Sequence, residues 1–150
     1  LKGILDLVYT EKVREEQGGT YGVSINATSQ KRPDEKASLL VAFECDPERA
    51  AELRQIIYDE LEAIAKNGPR QADLEKTVSN MLKTREEASQ HNSYWANIIR
   101  SYYLNGFDNN DSQNYADILN KLTVKDIKKT VKKFLAKADL LELVFVPEKK

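Results

Sequence analysis

The chain has 150 residues, 41% hydrophobic and 31% charged, with 23 Lys and Arg against 24 Asp and Glu. That length suits one domain with its own core, and a net charge of −1 gives no global electrostatic pull toward nucleic acid or an anionic membrane. A single cysteine, Cys45, excludes an internal disulfide, and no apolar run is long enough to span a bilayer.

The chain opens inside a helical pattern. Leu1, Leu5, Tyr9 and Val13 recur every fourth residue, flanked by Ile4 and Val8, which predicts one apolar helix face. Gly18 and Gly19 let that helix stop and reverse. Tyr21, Val23, Ile25 and Ala27 then alternate with small polar residues, the pattern of a strand with one apolar face. After a polar connection with Pro33-Asp34, a second strand carries Leu39, Val41, Phe43 and Cys45 on one side. The two strands form an antiparallel hairpin most simply. Cys45 reads as a small buried hydrophobe.

The next helix follows Asp46, a suitable N-cap, and Pro47, which fits a first turn. Ala50, Leu53, Ile57, Leu61 and Ile64 form its apolar stripe, and Asn67-Gly68-Pro69 ends it. From Gln71 a 3-4 series runs through Leu74, Val78, Met81, Arg85, Ala88, Asn92, Trp95, Ile99 and Tyr102. Such a series suits a coiled coil, and equally one long helix crossing a sheet, bent near the polar members Arg85 and Asn92. Trp95 and its aromatic neighbours are expected in the core or at a domain interface. A loop and a short helix, YADILNKL, follow. The helix after them opens on a capping box of Thr123 with Asp126. The run LLELVFVP is expected as a third strand, stopped by Pro147. The order α-β-β-α-α-α-α-β predicts an α+β fold, a mostly antiparallel sheet with helices packed on one face.

Chemistry is sparse. Zinc sites need clustered donors, and the chain holds one His, His91, and one Cys. Neither HExxH nor HxxEH is present, and no GxSxG elbow supports a serine nucleophile. His91 reads as a solvated or boundary residue. The lysines of KDIKKTVKKFLAK alternate with the apolar face of their helix and read as a solvated face.

One constellation remains, Arg14-Glu15-x-x-Gly18-x-x-Tyr21. Taken on the residues alone, Tyr21 shares a strand face with Val23 and Ile25 and suits a core tyrosine, while Arg14 suits a helix-C-terminal cation. The constellation resembles the RExxGxxY signature of the C-terminal half of the insulinase (pitrilysin-type) zinc metallopeptidases, with details closest to the bacterial zinc-protease branch. The element order resembles that domain over essentially the whole chain.

The resemblance implies a clamshell-type domain, residues 1–150, incomplete at its N-terminus and lacking the initial strand or strands, with an unpaired sheet edge. It implies a non-catalytic, substrate-binding part of a zinc metalloendopeptidase. Zinc and its ligands belong to a partner N-terminal half, so this chain alone is expected to be inactive and to hold no metal or cofactor. Arg14 and Tyr21 would bind the backbone of a peptide substrate across a chamber, with Gly18 supporting the turn. Glu15 would either orient Arg14 or stay solvated. The other readings are a structural or assembly domain of an inactive family member and a small-molecule-binding regulatory module. The bacterial resemblance favours the periplasm or cell envelope.

Overall fold

A computed structural model describes residues 1–16, 20–106 and 114–146, with residues 14–16 and 21 described by their backbone. Helix α1 (Lys2–Tyr9) buries Ile4, Leu5, Val8 and Tyr9, the stripe that the four-residue spacing predicts. It runs directly into a π-helical turn (Thr10–Glu16), where Val13 is fully buried. The Tyr9 hydroxyl donates to the Ile57 carbonyl at 3.0 Å, so the one polar atom of a buried ring has a partner. Burial, with Glu60 adding to it, pushes the Tyr9 phenol well above the usual range.

Strands β1 (Thr20–Gln30) and β2 (Lys36–Cys45) pair antiparallel, with Ile25 opposite Val41 and Gln30 opposite Lys36. Val23 and Ile25 of β1, and Leu39, Val41, Phe43 and Cys45 of β2, pack on the core. Cys45 is half-buried there, in keeping with its reading as a small hydrophobe. The other face is polar and exposed, with Thr28 and Ser38 bonded across it at 2.7 Å.

A 3-10 turn (Pro47–Arg49) leads into α2 (Ala50–Asn67), which buries Leu53, Ile57 and Ile64. The expected Asp46 side-chain cap is not formed; its carbonyl instead accepts from Arg49 N at 2.9 Å. Gly68 ends α2 at φ 86°, and a Cβ there would lie 2.4 Å from Val124 Cγ1. Both the positive φ and the close approach require glycine.

The long series expected as one helix is two. Helix α3 (Gln71–Ala88) and helix α4 (Asn92–Asn105) are separated at Ser89–His91. Side chains stabilise the break. Trp95 Nε1 donates to the Ser89 carbonyl at 2.8 Å, and Arg85 Nε donates to the Tyr94 hydroxyl at 2.9 Å. The two polar interruptions thus bracket the break. Trp95 is 49% exposed and α4 buries no residue, so the core reading of its aromatics is corrected.

Helix α5 (Tyr115–Asn120) is short, and α6 (Val124–Leu135) packs along α2 with Val131 buried. The Thr123–Asp126 capping box forms in full. The expected third strand does not form among the described residues. Residues 139–146 have no ladder partner, and the sheet has two strands. Apolar alternation cannot make a strand without a neighbouring backbone in register. The segment is tied instead to α2, where Tyr58 OH donates to Glu142 Oε2 at 2.9 Å and Arg54 Nη1 to Oε1. The core lies where α1, the π-helical turn, α2, α3 and α6 meet the inner face of the hairpin, an α+β arrangement with helices on one face.

Candidate functional site

The structure places Arg14 and Glu15 in the π-helical turn and Tyr21 in the second position of β1. Gly18, like Gly19, lies outside the described residues. The turn and β1 pack against each other, which brings the backbones at the two ends of the motif onto adjoining elements. Val13, fully buried, seats the turn on the core immediately before Arg14.

Tyr21 sits in an interruption of the ladder. Thr20 is opposite Cys45 and Val23 is opposite Phe43, with the register shift between them. Three steps along β1 therefore match two along β2, the mark of a β-bulge. Counting back by twos from the core-facing Ile25 and Val23 would assign Tyr21 to the core as well. The bulge breaks that count, so alternation no longer argues for a core tyrosine. Thr20 stabilises the bulge. Its Oγ1 accepts from Gly22 N at 3.2 Å and donates to the Gly22 carbonyl at 3.0 Å.

The turn is also gripped from outside the motif. Arg70, at the start of α3, donates from Nη1 and Nη2 to the two carboxylate oxygens of Glu11 at 2.9 and 2.5 Å. Its Nε donates to Asp73 Oδ2 at 2.7 Å. The hydrogen bonds from Arg70 hold the Glu11 carboxyl below its usual range, and those bonds with Glu11 and Asp73 raise Arg70.

Sequence reasoning passed over Glu11, Arg70, Asp73 and Thr20. The Arg70–Asp73 spacing of three at a helix start was a usable signal, whereas Glu11 is 59 residues from Arg70.

No group of three or more His, Cys, Asp or Glu that could hold a metal occurs among the described residues. His91 is exposed just before α4, in line with its reading as a solvated residue. No helix among the described residues is long and apolar enough to cross a membrane.

Residues 5–81, just over half of the chain, match the family described as the peptidase M16 inactive domain. The chain belongs to this family. The matched stretch runs from α1 into α3, so it contains the whole Arg14–Tyr21 motif together with Glu11, Arg70 and Asp73. The resemblance to the non-zinc, C-terminal domain of insulinase-type metallopeptidases is thereby shown.

A zinc protease PQQL-like protein of Arabidopsis thaliana is 27% identical over 105 residues, covering 66% of this chain and 11% of the relative. The peptidase M16 inactive domain from Pseudomonas fluorescens superimposes with a TM-score of 0.74 at 16% identity, covering 88% of this chain and 33% of that one. The periplasmic protease PqqL from Escherichia coli gives 0.66 at 21% identity, covering 87% and 15%. The chain thus spans a third or less of each of these relatives.

Proposed function

We propose that this M16 inactive domain holds the backbone of a peptide or protein substrate within a zinc protease, using Arg14 and Tyr21. The observation that carries this reading is the pairing of a buried-footed π-helical turn bearing Arg14 with a bulged strand start bearing Tyr21. Bulges and π turns recur where a fold must aim a functional group.

Arg offers a fixed fork of donors that never loses its charge, and Tyr offers one hydroxyl on a rigid ring. Donors aimed at a scissile carbonyl gain strength as negative charge builds on its oxygen. The donors of this chain do not fit a zinc site, with a single histidine, a single cysteine and no clustered set among the described residues. We assign the metal chemistry to a zinc-bearing half of the protease because the family and its relatives are those of zinc proteases.

In the full-length protease, Arg14→Ala and Tyr21→Phe should each lower peptide hydrolysis, by about 10²-fold or more as for loss of one such donor. Zinc content should stay at its wild-type level. Wild-type turnover in both variants would overturn the reading and favour an assembly role for the domain.

A further inference from the structure

We propose that Arg70 is a positioning residue, which through Glu11 holds the π-helical turn carrying Arg14. The inference rests on the substrate-holding reading of Arg14. The linkage joins the start of α3 to the π-helical turn. Asp73 lies within the first turn of α3, and its side chain is 10% exposed. It anchors the guanidinium of Arg70 through Nε at 2.7 Å and Nη2 at 3.1 Å. The far side of the same planar group meets both oxygens of Glu11. A two-pronged contact of this kind fixes orientation as well as distance, which a lysine ammonium cannot do.

The turn has reason to need such a grip. The π-helical stretch of seven residues is a rare backbone form, frequently seen at functional sites, whose wide turn departs from the ordinary helix that precedes it. Val13 fastens the turn to the core. Glu11, three residues before Arg14, fastens it to α3. With the Glu11 contact gone, the backbone at Arg14 keeps its seat at Val13 and its packing on β1 but loses the tie to α3.

The exposure of the pair separates positioning from plain stabilisation. The Arg70 and Glu11 side chains are 54% and 34% exposed. Ion pairs that open to solvent contribute little to global stability. Their geometry, however, can decide where a group on the same turn sits, and misplacement by an ångström costs rate steeply.

The test uses the full-length protease and leaves the Arg70–Asp73 pair intact, so that no buried carboxylate loses its partner. Glu11→Ala should lower kcat on the order of tenfold to a hundredfold. KM should change little, because the contact of Arg14 strengthens as charge builds during reaction. The thermal midpoint should stay close to wild type. Glu11→Gln, which keeps an acceptor oxygen for the fork, should retain more activity than Glu11→Ala. The double variant Arg14→Ala/Glu11→Ala should be no slower than Arg14→Ala alone, since the clamp then has nothing to place.

Wild-type kcat in Glu11→Ala, with Arg14→Ala impaired, would overturn the clamp and leave the substrate-holding reading standing. Losses that simply add in the double variant would overturn it equally. Wild-type turnover in Arg14→Ala would remove the underlying reading and the clamp with it.

Discussion

Thr20 shows how much a single hydroxyl can decide. It closes two hydrogen bonds with Gly22 around the bulge that contains Tyr21. Thr20→Val keeps the β-branched shape and removes both bonds. It should cost about 1 kcal/mol of stability in chemical denaturation. If the bulge presents Tyr21, it should also lower peptide turnover on the order of tenfold, in the range expected when a functional group shifts. Thr20→Ser, which restores the hydroxyl, should recover most of the activity. Turnover at wild-type level in Thr20→Val would mean that the bulge does not matter to Tyr21. None of this was readable from the chain. Thr20 fits a polar position in an alternating strand, and the extra residue that makes the bulge shows up only against the register of β2. The spacing of Arg14 and Tyr21 could be noticed because a spaced motif survives as sequence, whereas Glu11 and Arg70 meet through folding alone.

At the scale of elements, local rules succeeded for most features set by near neighbours, the unformed Asp46 side-chain cap being an exception. The α1 stripe, the hairpin faces and the Thr123–Asp126 box all depend on residues a few positions apart, and all form. The box illustrates the energetics. Thr123 Oγ1 and the Thr123 backbone N donate to Asp126 Oδ2 at 2.6 and 3.0 Å, and these bonds hold the carboxyl below its usual value. A carboxyl lowered in the folded state stabilises above its unfolded pKa, and that contribution is lost as pH falls through the folded value. Glu11 and Glu142, both lowered by hydrogen bonds from their arginine partners, act with the same sign, but all three carboxyls are open to solvent and screening keeps each contribution small. Stability should therefore fall only slightly on acidification through the carboxylate range. Thr123→Ala should lower it at neutral pH by about 1 kcal/mol, the usual worth of an N-cap. It should also flatten the acid limb measured by circular dichroism of thermal unfolding; an unchanged limb would assign the acid sensitivity to the other two carboxyls. The third strand failed for the opposite reason. Its apolar pattern is present in residues 140–146, but a strand depends on a partner that no local pattern supplies, and the described sheet ends at two strands.

At the scale of the whole molecule, the same missing partner leaves apolar surface in water. Leu141, Leu143 and Phe145 are 80%, 67% and 91% exposed. They alternate with Glu142, which is bound to Arg54 and Tyr58 of α2, so in an extended segment they share the side away from that anchor. The two paired strands also have no further neighbours among the described residues. Unpaired strand edges beside exposed apolar residues favour association with another chain. The isolated 150-residue chain should accordingly gain mass in sedimentation velocity as its concentration rises. Leu143→Lys with Phe145→Lys should suppress that gain by placing like charges on the exposed side. The same pair should leave unfolding stability within about 0.5 kcal/mol per site, as for other exposed positions away from caps and cores. Equal association in the double-lysine variant would shift the cause to α4, where Trp95, Ile99 and Tyr102 form a second stripe at 49%, 56% and 45% exposure.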